Sequence, residues 1–228
     1  MTAPVLLVDD HALFAQAVEI GLCAAGIPAQ RVTPRSAAQI LAETAACPPG
    51  TVLLDLSLGT GEEGEPIDGL DLIAAIGAQG KRVVVVTGES GDAVWGAALE
   101  QGAMTVLRKE TELADLIAVV EAVNADEPVL DEGRRQDLLA AARRARSEES
   151  GRLAPFTQLS RREDEVLRAL ADGQSAATIA SSAFVSEATV RTQIRAVLTK
   201  LGVSSQLQAV ALARRAGWLD RLPVTTAG

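Results

Sequence analysis

The stretch Val83-Val84-Val85-Val86-Thr87 sets four β-branched apolar residues in a row and closes them with a hydroxyl. A strand with one wet face alternates apolar and polar side chains. A strand apolar at every position is covered on both faces, as in a parallel sheet between two layers of helices. Val5-Leu6-Leu7-Val8 and Thr51-Val52-Leu53-Leu54 have the same character. Gln30-Arg31-Val32-Thr33 and Thr105-Val106-Leu107 complete five β-rich runs within the first 125 residues. Helical patterns alternate with them, roughly over 12–25, 35–46, 69–78, 92–101 and 112–124. Five strand–helix repeats in that length predict an α/β doubly wound, five-stranded parallel sheet.

Polar residues follow the strands. Asp9 and Asp10 come after the first, Asp55 after the third, Thr87 after the fourth and Lys109 after the fifth. In open α/β sheets, ligands bind outside the carboxyl ends of the strands. Each aspartate alone could cap a helix. Three acids, a hydroxyl and an ammonium at matching strand ends are better explained by one site. Three carboxylates repel one another unless a cation lies among them. An oxygen-only donor set favours a hard ion such as Mg²⁺. A carboxylate in that setting can attack phosphorus and form an acyl phosphate. Lys109 can neutralise phosphoryl oxygens and Thr87 can donate to them.

The chain has 228 residues, 21 basic and 30 acidic, for a net charge of −9. Apolar residues make up 48%, which excludes wholesale disorder. Aromatics total 2% and tyrosine is absent, which disfavours stacking platforms for single-stranded nucleic acid. One histidine (His11) and two cysteines (Cys23, Cys47) exclude zinc fingers and histidine-rich cages. The first residues carry no basic region of the signal-peptide kind, and no apolar run approaches the ~18 residues of a membrane span. The expected compartment is the cytoplasm, with no membrane partner.

Charge is unevenly spread. Residues 1–125 hold 6 basic and 17 acidic side chains, net −11, whereas 152–228 hold 10 and 6, net +4. The two halves are expected to meet different partners. Asp126-Glu127-Pro128 ends the first half. Residues 131–147 read as one Ala/Arg/Leu-rich helix, its arginines facing solvent and the acidic half. Ser147-Glu148-Glu149-Ser150-Gly151 reads as a polar linker. The expected division is therefore 1–125, a helical linker 126–151, and 152–228.

The last third is helical without strands. Ser160-Arg161-Arg162-Glu163 has the form of a capping box, and that helix stops at Asp172-Gly173. Ser175 opens a short helix, Phe184-Val185 turns, and Ser186 opens a third helix that runs to Leu201-Gly202. Val190, Ile194, Val197, Leu198 and Leu201 fall on one face of it. The other face carries Glu187, Ala188, Thr189, Arg191, Thr192, Gln193, Arg195 and Lys200. Two short helices about a tight turn make a helix-turn-helix, whose second helix can enter a major groove. Helix spacing alone equally fits a small bundle with a charged face.

Longer motifs decide between these. Val8-Asp9-Asp10-His11, Leu54-Asp55-Leu56, Val86-Thr87-Gly88 and Arg108-Lys109-Glu110 resemble the motifs of a two-component receiver domain. Leu159–Leu167, Ala171-Asp172-Gly173, Ile179-Ala180, Val185–Thr192 and Lys200-Leu201-Gly202-Val203 resemble a LuxR-type DNA-binding domain, with Gln208-Ala209-Val210-Ala211 in its fourth, dimer-forming helix. Together they resemble a NarL/FixJ-family response regulator. The resemblance implies a flavodoxin-like receiver followed by an all-α four-helix domain. It implies that Asp55 accepts a phosphoryl group from a sensor histidine kinase. Asp10 and Asp55 would ligate Mg²⁺, Asp9 largely through water, and Ser57 through its backbone carbonyl. Thr87 and Lys109 would read the phosphoryl group. Phosphorylation would promote a homodimer on promoter DNA, with RNA polymerase as a further partner. No separate substrate is turned over.

The chain departs from the family in four places. Asp68-Gly69 follows Asp55 by thirteen residues, about six more than usual, and the intervening Gly59–Pro66 reads as a flexible acidic insertion. Val106 stands where a Tyr or Phe is usual, with Trp95 in the neighbouring helix as a candidate substitute. Ala177 and Ala188 replace frequent lysines, which reduces the phosphate-binding term. Gln193 replaces a frequent histidine and in the simplest geometry favours adenine. Two other classes compete: a DNA-binding regulator controlled by a ligand or partner without phosphorylation, and a magnesium-dependent phosphohydrolase. The intact acidic set argues against the first, and the helix-turn-helix against the second.

Overall fold

A computed structural model describes residues 4–62 and 64–221. The extreme termini and Glu63 of the acidic insertion lie outside the described residues. The described residues contain seven strands: β1 (Val5–Val8), β2 (Ala29–Val32), β3 (Thr51–Leu54), β4 (Ser57–Thr60), β5 (Pro66–Asp68), β6 (Arg82–Thr87) and β7 (Thr105–Arg108). Five form a parallel sheet in the order β2-β1-β3-β6-β7. Its helices are α1 (Ala12–Ala24), α2 (Ala37–Ala46), α3 (Gly69–Ala78), α4 (Asp92–Glu100) and α5 (Leu113–Asn124).

Side chains alternate across each strand, so the continuous apolar runs feed two cores. Leu6, Val8, Val52, Leu54, Val83 and Val85 pack with Ile40 of α2, Ile73 and Ile76 of α3 and Ala98 of α4. Val5, Leu7, Leu53, Val84 and Val86 pack with Val18 and Leu22 of α1 and Leu116 and Val120 of α5. The doubly wound architecture is the one expected from those runs. The strand order reverses between β1 and β3, which is where the strand ends form a crevice.

The acidic insertion is not a free loop, contrary to the expectation of flexibility. Its flanks pair as an antiparallel hairpin of β4 and β5, with Ser57 opposite Asp68 and Thr60 opposite Pro66. Leu58 and Ile67 anchor it in the first core. At its tip, Gly61 N–H donates to Glu65 O and Glu62 N–H to Arg35 O. Asp68 then caps α3 by accepting from Leu70 N–H at 2.8 Å. Gly69 is required here: a Cβ would lie 2.0 Å from the Asp55 carbonyl oxygen.

Helix α6 (Glu132–Leu153) runs through the predicted linker 147–151 without interruption. One glycine near a helix end costs about 1 kcal/mol, which the flanking helix formers offset. The chain divides into two compact units, Met1–Ala145 and Arg146–Gly228, and the division falls inside α6. In the first unit, Leu138 and Ala142 of α6 are buried, and a Cβ on Gly96 of α4 would lie 2.0 Å from Leu138 O. Arg134 holds Asp92 through two hydrogen bonds of 3.2 and 2.7 Å, and Arg135 donates to Met104 O. The arginines thus do meet the acidic half, as expected.

The second unit contains a 3₁₀ turn (Ala154–Gln158), α7 (Arg161–Ala171), α8 (Ala176–Ser182), α9 (Glu187–Leu201) and α10 (Gln206–Arg215). Ser160, Ser175, Ser186 and Ser205 each cap the helix that follows. The capping box is complete, with Glu163 Oε2 accepting from Ser160 N–H at 2.7 Å. Leu167, Val197, Leu201, Ala209 and Ala213 form the core with a stacked Phe156–Trp218 pair, 5.1 Å between centroids. No helix among the described residues is long and apolar enough to cross a membrane.

Candidate functional site

Four of the five strands of the parallel sheet deliver parts of the site. The end of β1 carries Asp9 and Asp10, and the end of β3 carries Asp55, whose N–H donates to Val8 O and ties the two ends together. Asp55 is 2% exposed. Lys109, after β7, bridges the carboxylates, with Nζ 2.7 Å from Asp55 Oδ2 and 2.8 Å from Asp9 Oδ2. It also lies 5.2 Å from the Phe14 ring centroid, on the ring face. Asp55 Oδ1 is buried without a hydrogen-bond partner. A buried carboxylate oxygen left so is costly, and functional sites are where such groups persist.

Electrostatics follow from this packing. Burial pushes the Asp9 carboxyl up, against the opposing pull of Lys109 and of the His11 N–H. Burial pulls Lys109 down, but hydrogen bonds to Asp55 and Asp9 outweigh it, so the ammonium is held above its ordinary value. The cation is therefore firmly charged beside two carboxylates.

His11 belongs to this cluster too, a place the sequence alone did not assign it. Its Nδ1 is 2.6 Å from Asp10 Oδ1 and 3.1 Å from Lys109 Nζ. Ligand atoms of Asp9, Asp10, His11 and Asp55 all lie within 4.8 Å of one another. Three carboxylates and an unpaired Asp55 oxygen fit a hard divalent ion such as Mg²⁺. The hairpin approaches the same cluster, since a Cβ on Gly59 would come within 3.0 Å of Asp10 Oδ2.

Thr87 ends β6 and is fully buried. Its Oγ1 accepts from Glu89 N–H at 3.1 Å. The Glu89 carboxylate accepts from Ser57 Oγ at 2.7 Å, and its carbonyl accepts from Trp95 Nε1 at 3.0 Å. Glu89 carried no sequence signal, because its carboxylate partner, Ser57, is brought from β4, elsewhere in the fold. Val106 is buried in the first core and presents no ring.

In the second unit, α8 and α9 flank a turn at Phe184, which is 95% exposed and takes a left-handed backbone (φ 54°). Glu187, Ala188, Thr189, Arg191, Thr192 and Arg195 share the exposed side of α9, while Gln193 is half-buried. Glu187 Oε1 accepts from both Nε and an η-nitrogen of Arg191, at 3.0 and 2.6 Å. Lys200 is exposed near the end of α9 as well. Its ammonium is turned to Glu163 Oε2 at 2.6 Å and joins α9 to the α7 cap.

Comparison with known proteins agrees with both halves. Residues 5–121 match the family described as response regulator receiver domain, and residues 157–213 match bacterial regulatory proteins of the luxR family. The chain is 31% identical over 221 residues to the probable transcriptional regulatory protein NarL of Mycobacterium tuberculosis, covering 95% of each. The chain belongs to the NarL/FixJ-family response regulators. It is 29% identical to the transcriptional regulatory protein LiaR of Bacillus subtilis, covering 92% of this chain and 96% of that one. A solved LuxR-family two-component response regulator from Aurantimonas sp. SI85-9A1 shares the fold at a TM-score of 0.50 and 23% identity, over 61% of this chain and 97% of that one. As a response regulator, the chain joins a receiver to a LuxR-type DNA-binding domain.

Proposed function

We propose that Asp55 accepts a phosphoryl group from a sensor histidine kinase and that this controls promoter binding through α9. The observation that carries the reading is the Asp55 carboxylate itself. One oxygen is held by Lys109, and the other is buried with no partner, beside Asp9 and Asp10. The free oxygen forms the new P–O bond as the P–N bond to the kinase's phosphohistidine breaks, and the imidazole leaves with the electron pair. Lys109 offsets charge on the phosphoryl oxygens, and the Thr87 hydroxyl donates to one of them. Asp9, Asp10, Asp55 and the Ser57 carbonyl would hold Mg²⁺, which supplies further charge neutralisation when bound. The protein turns over no other substrate.

Residues 1–125 form the receiver in this reading, 126–151 the helical connection and 152–228 the DNA-binding domain. Glu187, Ala188, Thr189, Arg191, Thr192, Gln193 and Arg195 meet the major groove as a homodimer forms. Lys200 supports α9 from behind through Glu163. RNA polymerase is the downstream partner. Acting on promoter DNA, the protein works in the cytoplasm.

Incubation with acetyl phosphate and Mg²⁺, followed by intact mass, tests the central step. One labile phosphate is expected on the wild type and none on Asp55→Asn, which keeps the shape and removes the nucleophile. A wild-type yield on Asp55→Asn would refute the assignment.

A further inference from the structure

Thr87, Glu89 and Trp95 form a continuous hydrogen-bonded path that leaves the phosphoryl site. Glu89 N–H donates to Thr87 Oγ1, and Trp95 Nε1 donates to Glu89 O. The intervening segment Gly88–Gly91 has a glycine at each end, and Gly91 sits at φ 130°, a backbone that few other residues adopt. The segment that carries Glu89 can therefore turn between Thr87 and Trp95. Trp95 is half-buried in α4 and packs on the first core together with Leu138, Leu139 and Leu130. Its neighbour Gly96 is in backbone contact with Leu138 of α6. That helix continues unbroken to Leu153, which packs in the core of the second unit.

We propose that Trp95 is a positioning residue that carries the state of Thr87 to α6. The proposal rests on Asp55 being the phosphoacceptor. When the Thr87 hydroxyl turns to a phosphoryl oxygen, its oxygen leaves the Glu89 N–H. The Gly88–Glu89 peptide is then free to turn, and the Glu89 backbone carries with it the next carbonyl, Glu89 O, which is the acceptor that fixes the indole. The indole packs on the first core, which includes Leu138, and its neighbour Gly96 meets the Leu138 backbone, so its movement loosens α6 from α4. A phenylalanine ring keeps most of the apolar packing but loses the tether, and the Trp95 resonance of the wild type separates relay from packing.

The test uses the full-length protein with its two tryptophans, Trp95 and Trp218, replaced by 5-fluorotryptophan. Trp95→Phe or Trp218→Phe assigns the two fluorine resonances. Acetyl phosphate and Mg²⁺ are added, intact mass counts the phosphate, and hydrogen exchange follows residues 132–145. On phosphorylation the Trp95 resonance should shift, and exchange in 132–145 should rise at least about fivefold, the lower end of ordinary coupling between sites. Trp95→Phe should still take the phosphate but lose most of that rise. A phosphorylated wild type whose Trp95 resonance stays in place overturns the relay, and this needs no variant at position 95 to fold. So does a folded Trp95→Phe variant that responds as the wild type does. Absence of phosphate on the wild type overturns the reading of Asp55 and the relay with it.

Discussion

Gly96→Ala places one methyl group where α4 meets α6. Built on the present backbone, the new Cβ lies 2.0 Å from Leu138 O, 2.7 Å from Leu138 C and 2.9 Å from the Ala142 Cβ. Two of these are backbone atoms of a regular helix and cannot rotate away. Ordinary contact begins near 3.4 Å, so α6 must retreat by about 1.4 Å. A gap of 0.5–1 Å already forfeits a quarter to a half of the contact attraction, so most of it is lost along this seam. Leu138 is 2% and Ala142 3% exposed. Burying a leucine contributes about 1.5–3 kcal/mol and a methyl group about 0.8 kcal/mol, so docking at these two positions is worth roughly 2–4 kcal/mol. Alanine improves α4 itself by about 1 kcal/mol whether or not α6 is docked, so the docking equilibrium feels only the lost share of the roughly 2–4 kcal/mol. The docked state should weaken by roughly 1–3 kcal/mol. Hydrogen exchange in 132–145 should then rise about 5- to 150-fold while the β-sheet keeps its protection, a segment-specific readout that does not require two-state unfolding. Leu138→Ala should act in the same direction. Unchanged exchange, with the protein more stable by the ~1 kcal/mol of helix propensity alone, would refute the packing argument.

Hydrogen bonds to Lys200 and Ser160 outweigh burial and hold the Glu163 carboxyl below its ordinary 4.5. A carboxylate depressed in the folded state stabilises fully above pH 4.5, and this is lost as pH falls through the lower folded value. The urea midpoint of the second unit, read from Trp218, should drop below pH 4.5 more steeply in the wild type than in Glu163→Gln. Equal slopes would remove Glu163 from that role. On DNA, Arg191→Ala or Arg195→Ala should cost roughly 1–3 kcal/mol and relax sequence preference if the side chain reads a base. A phosphate contact should instead weaken all sequences alike and flatten the salt slope by about 1. Gel shifts at two salt concentrations on target and scrambled DNA distinguish these, and full binding by a folded double variant would sink the assignment. Lys200→Ala should lower domain stability, read as a lower urea midpoint, because its ammonium joins α9 to the α7 cap through Glu163.

Much of this protein follows from local pattern. Runs such as Val83–Val86 are apolar on both faces, and a chain with three of them among five strand runs separated by helical patterns has few ways to bury them all other than a doubly wound sheet. Serines before periodic segments start helices because their oxygen takes an orphan N–H one turn on, so Ser160, Ser175 and Ser186 marked three starts. The candidate site was legible for a topological reason: parallel strands end on the same edge, which collects Asp9, Asp55, Thr87 and Lys109 from across a hundred residues. What escaped local reading needed partners brought from elsewhere. The hairpin forms because Leu58 and Ile67 find a shared core, although the residues between them carry turn and charge signals. Glu89 becomes a junction only when Ser57, Thr87 and Trp95 surround it. Lys200 looks like a groove-facing cation until Glu163 lies 2.6 Å from it. Gly151 and its polar neighbours signal a linker, yet the helix continues through them, anchored at Leu138 on one side and Leu153 on the other. Periodicity and caps are set by neighbours within one or two turns. Docking and pairing depend on distances between segments, which exist only once the chain has folded.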